Sequence, residues 1–200
     1  MKFIKSNFHN ILKLYINQIG ITIFALMLYT ACGATDDSEL LAKLRTVVSV
    51  FSICFYYVLI YYVAWDIGAN DKIRIDGGRL APNKAKGALL SLIANVPNLF
   101  LSLLTVLFGF VYIGGAENIA ALFGIFQMVT MLHASMYMGI IQTMVYGFTT
   151  VDNVPIDQKY LVMPILFIVI PLVSVLLTHV AYTLGSHDKK LLSVFSSKNK

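Results

Sequence analysis

The chain has 200 residues, of which 58% are apolar and 12% charged, with a formal net charge of +5. Soluble domains carry roughly 45–50% apolar and about 25% charged residues, so too few polar groups are present to clothe a soluble fold. The charges are also bunched between long uncharged runs. That arrangement favours basic loops held at the cytoplasmic face of a bilayer over contact with nucleic acid.

A helix needs about 20 apolar residues to cross about 30 Å of hydrocarbon, and lipid offers no partner to the open edge of a strand. Five segments meet that requirement, at about 14–34, 46–65, 88–113, 119–147 and 160–182. The expected fold is an all-α integral membrane protein, a single multi-pass domain over residues 1–200. It is a bundle of five long transmembrane helices with room for a sixth or re-entrant segment.

The first segment follows a start containing Lys2, Lys5 and Lys13. It ends in Tyr29-Thr30-Ala31-Cys32, which resembles a lipoprotein cleavage site. The tyrosine, the long basic start and the further spans favour a retained helix over lipidation of Cys32. Cys32 and Cys54 fall at different depths and show no CxxC spacing, so neither a disulfide nor a metal site is expected. Tyr56, Tyr57, Tyr61, Tyr62 and Trp65 crowd the end of the second segment; an interfacial aromatic belt accounts for Tyr61, Tyr62 and Trp65, in preference to an aromatic ligand face of Tyr57, Tyr61 and Trp65.

Residues 66–87 read as a cytoplasmic loop in which Asp76-Gly77-Gly78 marks a tight turn. Lys72, Arg74, Asp76 and Arg79 flank Ile73, Ile75 and Leu80 there and are the candidates for docking a partner. Asp76-Gly77 lacks the further aspartates that a metal-dependent phosphotransferase needs. The third segment is interrupted at Asn95-Val96-Pro97-Asn98, because proline removes one helical hydrogen bond and crowds the preceding turn. Such breaks occur both as plain kinks and at transporter binding sites.

The fourth segment is the most polar, with Gln127, Thr130, His133, Ser135 and Gln142. These residues serve either as hydrogen-bonding glue between helices or as the lining of a pathway. His133 and Ser135 are two apart, so their side chains diverge and form no nucleophile–base pair. Met128, Met131, Met136, Met138 and Met144 scatter around the helix, which suits packing better than soft-metal ligation. Pro164 and Pro171 share one face of the fifth segment, and a basic tail covers 183–200.

No Asp, Glu, Lys or Arg lies well inside any of the five segments. Ionisable groups at that depth mark relays and voltage sensors, so neither is expected, nor is an enzyme, cofactor or metal. The leading functional expectation is a transport-related membrane subunit, permease-like, acting passively or through a partner. Gln127, Thr130, His133, Gln142, Asn95, Pro97 and Asn98 would line its pathway. The alternative is a non-catalytic scaffold or accessory subunit of a larger membrane complex. Expected partners are the lipid bilayer and a cytosolic or membrane protein or a second copy. The expected site is a bacterial plasma membrane, with the N-terminus and residues 66–87 cytoplasmic.

Overall fold

A computed structural model describes residues 2–34, 38–149 and 156–189. All its regular structure is helical: α1 (Lys2–Ala31), α2 (Ser38–Asp76), α3 (Lys86–Ala94), α4 (Val96–Ile113), α5 (Ala120–His133), α6 (Met138–Thr149) and α7 (Ile156–Ser186). Short 3₁₀ turns occupy Cys32–Ala34, Glu117–Ile119 and Ser135–Tyr137. Four helices are long and apolar enough to cross a membrane, and α5 with α6 makes a fifth if the bent pair counts as one span.

Two helices outrun their apolar segments. α1 begins at Lys2 rather than near residue 14, and α2 continues through both flanking polar stretches for 39 residues. At 1.5 Å per residue α2 is roughly 58 Å long, nearly twice the hydrocarbon thickness. The expected loop at 66–87 is therefore helical as far as Asp76, and Lys72, Arg74 and Asp76 sit in the last turns of α2. Only Arg79 of the expected docking residues lies beyond the helix. Hydropathy finds the apolar part of a helix, whereas backbone hydrogen bonding carries it on until something stops it.

What stops α2 is Gly77-Gly78. Gly78 adopts φ +68°, its N–H donates to the Ile75 carbonyl, and the Arg79 N–H donates to the Arg74 carbonyl. This bond pair is a Schellman cap, which needs a left-handed residue and so favours glycine. The turn is where the sequence places it, but it ends a helix rather than joining two strands.

The chain forms two compact units. The first holds 1–17, 57–95 and 172–200, hence the start of α1, the end of α2, α3 and the end of α7. Its apolar core includes Leu14, Ile60, Ala64, Ile67, Leu90 and Ala181. α2 and α7 meet through glycines: Gly68 lies against the Tyr182 carbonyl and the Ser186 amide, and Gly185 against the Trp65 carbonyl and the Ala69 amide. Without side chains at these points the two backbones touch, as small-residue interfaces allow.

The second unit holds 18–56 and 96–171. Here α4 and α5 form an antiparallel hairpin turned at Gly115, which has φ +96°. It is zipped by Thr105–Thr130 (2.8 Å between hydroxyls), stacked Phe108–Phe126 (5.0 Å) and stacked Tyr112–Phe123 (5.6 Å). The fourth segment, expected to be one helix, is bent by 81° between α5 and α6. No proline or glycine stands at this break. Instead α1 holds the break: Thr22 Oγ1 donates to the freed His133 carbonyl (3.1 Å), and Ser135 Oγ ties the turn back to α1 by donating to the Thr22 carbonyl (2.6 Å). Partners more than a hundred residues away leave no local signal.

Candidate functional site

The first unit contains a buried ion pair. Asp71, on α2 beyond its apolar stretch, accepts from Lys86 Nζ at 2.6 Å, and the two side chains are only 4% and 7% exposed. The same oxygen, Oδ2, accepts from the Tyr182 hydroxyl at 2.9 Å. Three helices supply the three groups. α2 carries Asp71 a turn past Gly68, α3 brings Lys86 in with its first residue, and α7 brings Tyr182. Gly87 lets this happen, since a Cβ there would run into Tyr182 and the backbone of His179. Both charges fall in 66–87, the stretch expected to be a loop, and they are buried because the extra turns of α2 carry Asp71 against its partners.

The cluster heads a longer polar seam between α3 and α7. One turn in, Thr178 Oγ1 donates to the Ser174 carbonyl (2.6 Å) and lies within hydrogen-bond distance of Ser91 Oγ (3.2 Å). Deeper still, Asn95 Nδ2 donates to the Ser91 carbonyl (2.9 Å) and Ser174 Oγ (3.3 Å). Ser91, Asn95, Ser174 and Thr178 are all buried. From Tyr182 to Ser174 the seam runs roughly 12 Å along α7, at 1.5 Å per residue. At its inner end Asn95 Oδ1 is buried with no hydrogen-bond partner, which is costly in an apolar setting.

Two clefts open beside the cluster. One, of about 390 Å³, is lined by His9, Lys13, Asp66, Asp71 and Arg74 among others, with Lys13 paired to Asp66 at 3.4 Å. The other, of about 560 Å³, is lined by Lys72, Asp76, Lys84, His179 and Tyr182 among others. Asp71 is in the wall of the first and Tyr182 in the wall of the second, so their hydrogen bond stands between the two clefts.

No family model, curated protein or solved structure matches the chain. The site is therefore read from its own chemistry.

The residues singled out in the sequence divide. Asn95 is part of the seam, and Pro97 follows it half-buried at the start of α4. Asn98 belongs to the second unit, fully buried with neither amide atom hydrogen-bonded, and Ser102 one turn on is also unpaired. Thr130 is bonded to Thr105, and the His133 carbonyl takes the Thr22 hydroxyl. Gln127 is half-buried; the Gln142 side chain lies outside the described residues. The seam itself was missed by segment-by-segment reading. Its signal was present: Ser174, Thr178 and Tyr182 recur every four residues, on one helical face of an otherwise apolar run, and Ser91 and Asn95 share the same spacing.

Proposed function

We propose that the chain is a multi-pass integral membrane protein and a transport-related membrane subunit. Four helices of spanning length, in a chain poor in charge, support the membrane assignment. The distribution of Lys and Arg supports a plasma membrane with the N-terminus and residues 66–87 on the cytoplasmic side. The observation that carries the transport reading is the seam. Polar groups inside an apolar bundle are expensive and are kept where solutes, ions or protons pass. Here they run from two open clefts, through a buried ion pair, to an amide acceptor left unsatisfied. In the second unit Gln127, Thr130, His133, Gln142, Asn98 and Pro97 are the residues proposed to line a pathway, and in the first unit Lys72, Arg74, Asp76 and Arg79 are proposed to face a partner.

A second reading, a scaffold or accessory subunit, draws on the second unit. There Thr22 bonds with His133 and Ser135, Ser49 accepts from the Gly139 amide, and Thr105 bonds with Thr130, each tying one helix to another. Flux separates the two. The purified chain in liposomes is challenged with protons and with small neutral and charged solutes, alongside Asp71→Asn and Asn95→Ala variants of matched helicity. Permeation that the seam variants lower supports transport. A silent wild type, recovered from its host without any stoichiometric partner in native mass spectrometry, overturns the transport reading.

A further inference from the structure

The larger cleft of the first unit has a chemistry of its own. We propose that it binds a phosphoryl group, borne by a phospholipid headgroup or by a soluble phosphate compound. The inference concerns binding alone and stands whether or not the seam conducts.

The donors decide the class of ligand. Lys84 projects from the short connection before α3 and has no ion-pair or hydrogen-bond partner among the described residues. Lys72 reaches the same cleft from the last turns of α2, held only by Asp188 at 3.9 Å, the limit of an ion pair. Asn83 accepts the Ala85 N–H on Oδ1 at 3.0 Å. That bond fixes the amide orientation and leaves its NH₂ as a donor on the cleft side. The hydroxyls in the opposite wall are turned away from the ligand role. Thr183 Oγ1 donates to the His179 carbonyl and Ser186 Oγ to the Thr183 carbonyl, while the Tyr182 hydroxyl is committed to Asp71. Two imidazoles also line the cleft, His187 with Nδ1 against the Thr183 carbonyl and His179 with Nδ1 buried and unbonded; the two ammonium groups and the one amide are the donors that match the acceptor oxygens of a phosphoryl group.

Two further features agree. α3 starts at Lys86, beside this connection, so the positive end of its dipole adds to the lysines. Asp76 also lines the cleft. A lone carboxylate beside a phosphate-binding set suits a ligand whose phosphoryl group carries a neighbouring hydroxyl or ammonium, and Asp76 would accept from that group. At about 560 Å³ the cleft is the size of a headgroup rather than of a bare ion. Basic pockets at helix ends near a bilayer surface bind anionic headgroups for the same reasons.

Asn83→Asp is the sharpest probe. It keeps the oxygen that accepts from Ala85, so the turn before α3 is retained, but replaces the donor NH₂ with a second anionic oxygen. The full chain is placed in phosphatidylcholine nanodiscs and titrated calorimetrically with inorganic phosphate and with glycerol 3-phosphate. In parallel it is placed in nanodiscs doped with phosphatidylglycerol, and retained lipid is counted by native mass spectrometry. Lys84→Met should weaken binding about tenfold, the worth of one charge-assisted hydrogen bond, and Asn83→Asp should weaken it further. Lys5→Met, an exposed lysine of the same unit, should change nothing. Binding of the soluble phosphates without lipid enrichment would assign a soluble source; phosphatidylglycerol retention displaced by glycerol 3-phosphate would assign the headgroup. If the wild type binds none of the three probes, or if Asn83→Asp of unchanged helicity binds as well as wild type, the proposal fails.

Discussion

Replacing Lys86 with methionine tests whether the buried cluster is a coupled unit. Lys86 Nζ stands 2.6 Å from Asp71 Oδ2, with both side chains less than a tenth exposed. At an effective dielectric of about 20, opposite charges at that distance attract by roughly 6 kcal/mol. Desolvation of both groups offsets much of this, so the pair's net worth is small; removing one partner is another matter. Lys86→Met leaves a buried carboxylate with only the Tyr182 hydroxyl, and such orphaned charges cost about 3–5 kcal/mol. Lys86→Met/Asp71→Asn removes the orphaned charge while keeping an acceptor for Tyr182, and should recover most of that loss. The assay is reversible unfolding in mixed micelles followed by circular dichroism, with the single and double variants arranged as a cycle. If Lys86→Met lies within about half a kcal/mol of wild type, or the double variant is no more stable than the single, the cluster is not the coupled ion pair described here.

Tyr182→Phe should cost about 1.5–3 kcal/mol in the same assay, because the lost bond goes to a charged acceptor. Gly68→Ala should destabilise by at least about 1–3 kcal/mol, since the new methyl falls on the Tyr182 carbonyl and neither backbone can yield cheaply; Gly20→Ala, where the added carbon meets nothing, serves as the control. Gly78→Ala should cost about 1–2 kcal/mol, the strain of a left-handed conformation at a residue bearing a Cβ. Thr105→Val should cost about 0.6–2 kcal/mol, and a matching Thr130→Val in the same chain should add little, since both remove one hydroxyl–hydroxyl bond.

Apolar runs and their lengths determined by themselves that this chain is helical and that several helices are long enough to span a bilayer. They also located the interruption at Asn95–Asn98 and the turn at Gly77-Gly78, because proline and glycine act on the local backbone wherever they occur. Tertiary structure decided the rest. The bend after His133 is held from another helix, where Thr22 donates to the opened His133 carbonyl and its own carbonyl accepts from Ser135, and nothing near residue 134 announces it. The burial of Asp71 depends on α2 persisting past Trp65 and on Gly68, Gly87 and Gly185 drawing α2, α3 and α7 together. In the sequence Asp71 and Lys86 look like two loop charges among many. Whether a charge is solvated or buried depends on which helices approach it, and that is a property of packing at long range in the chain.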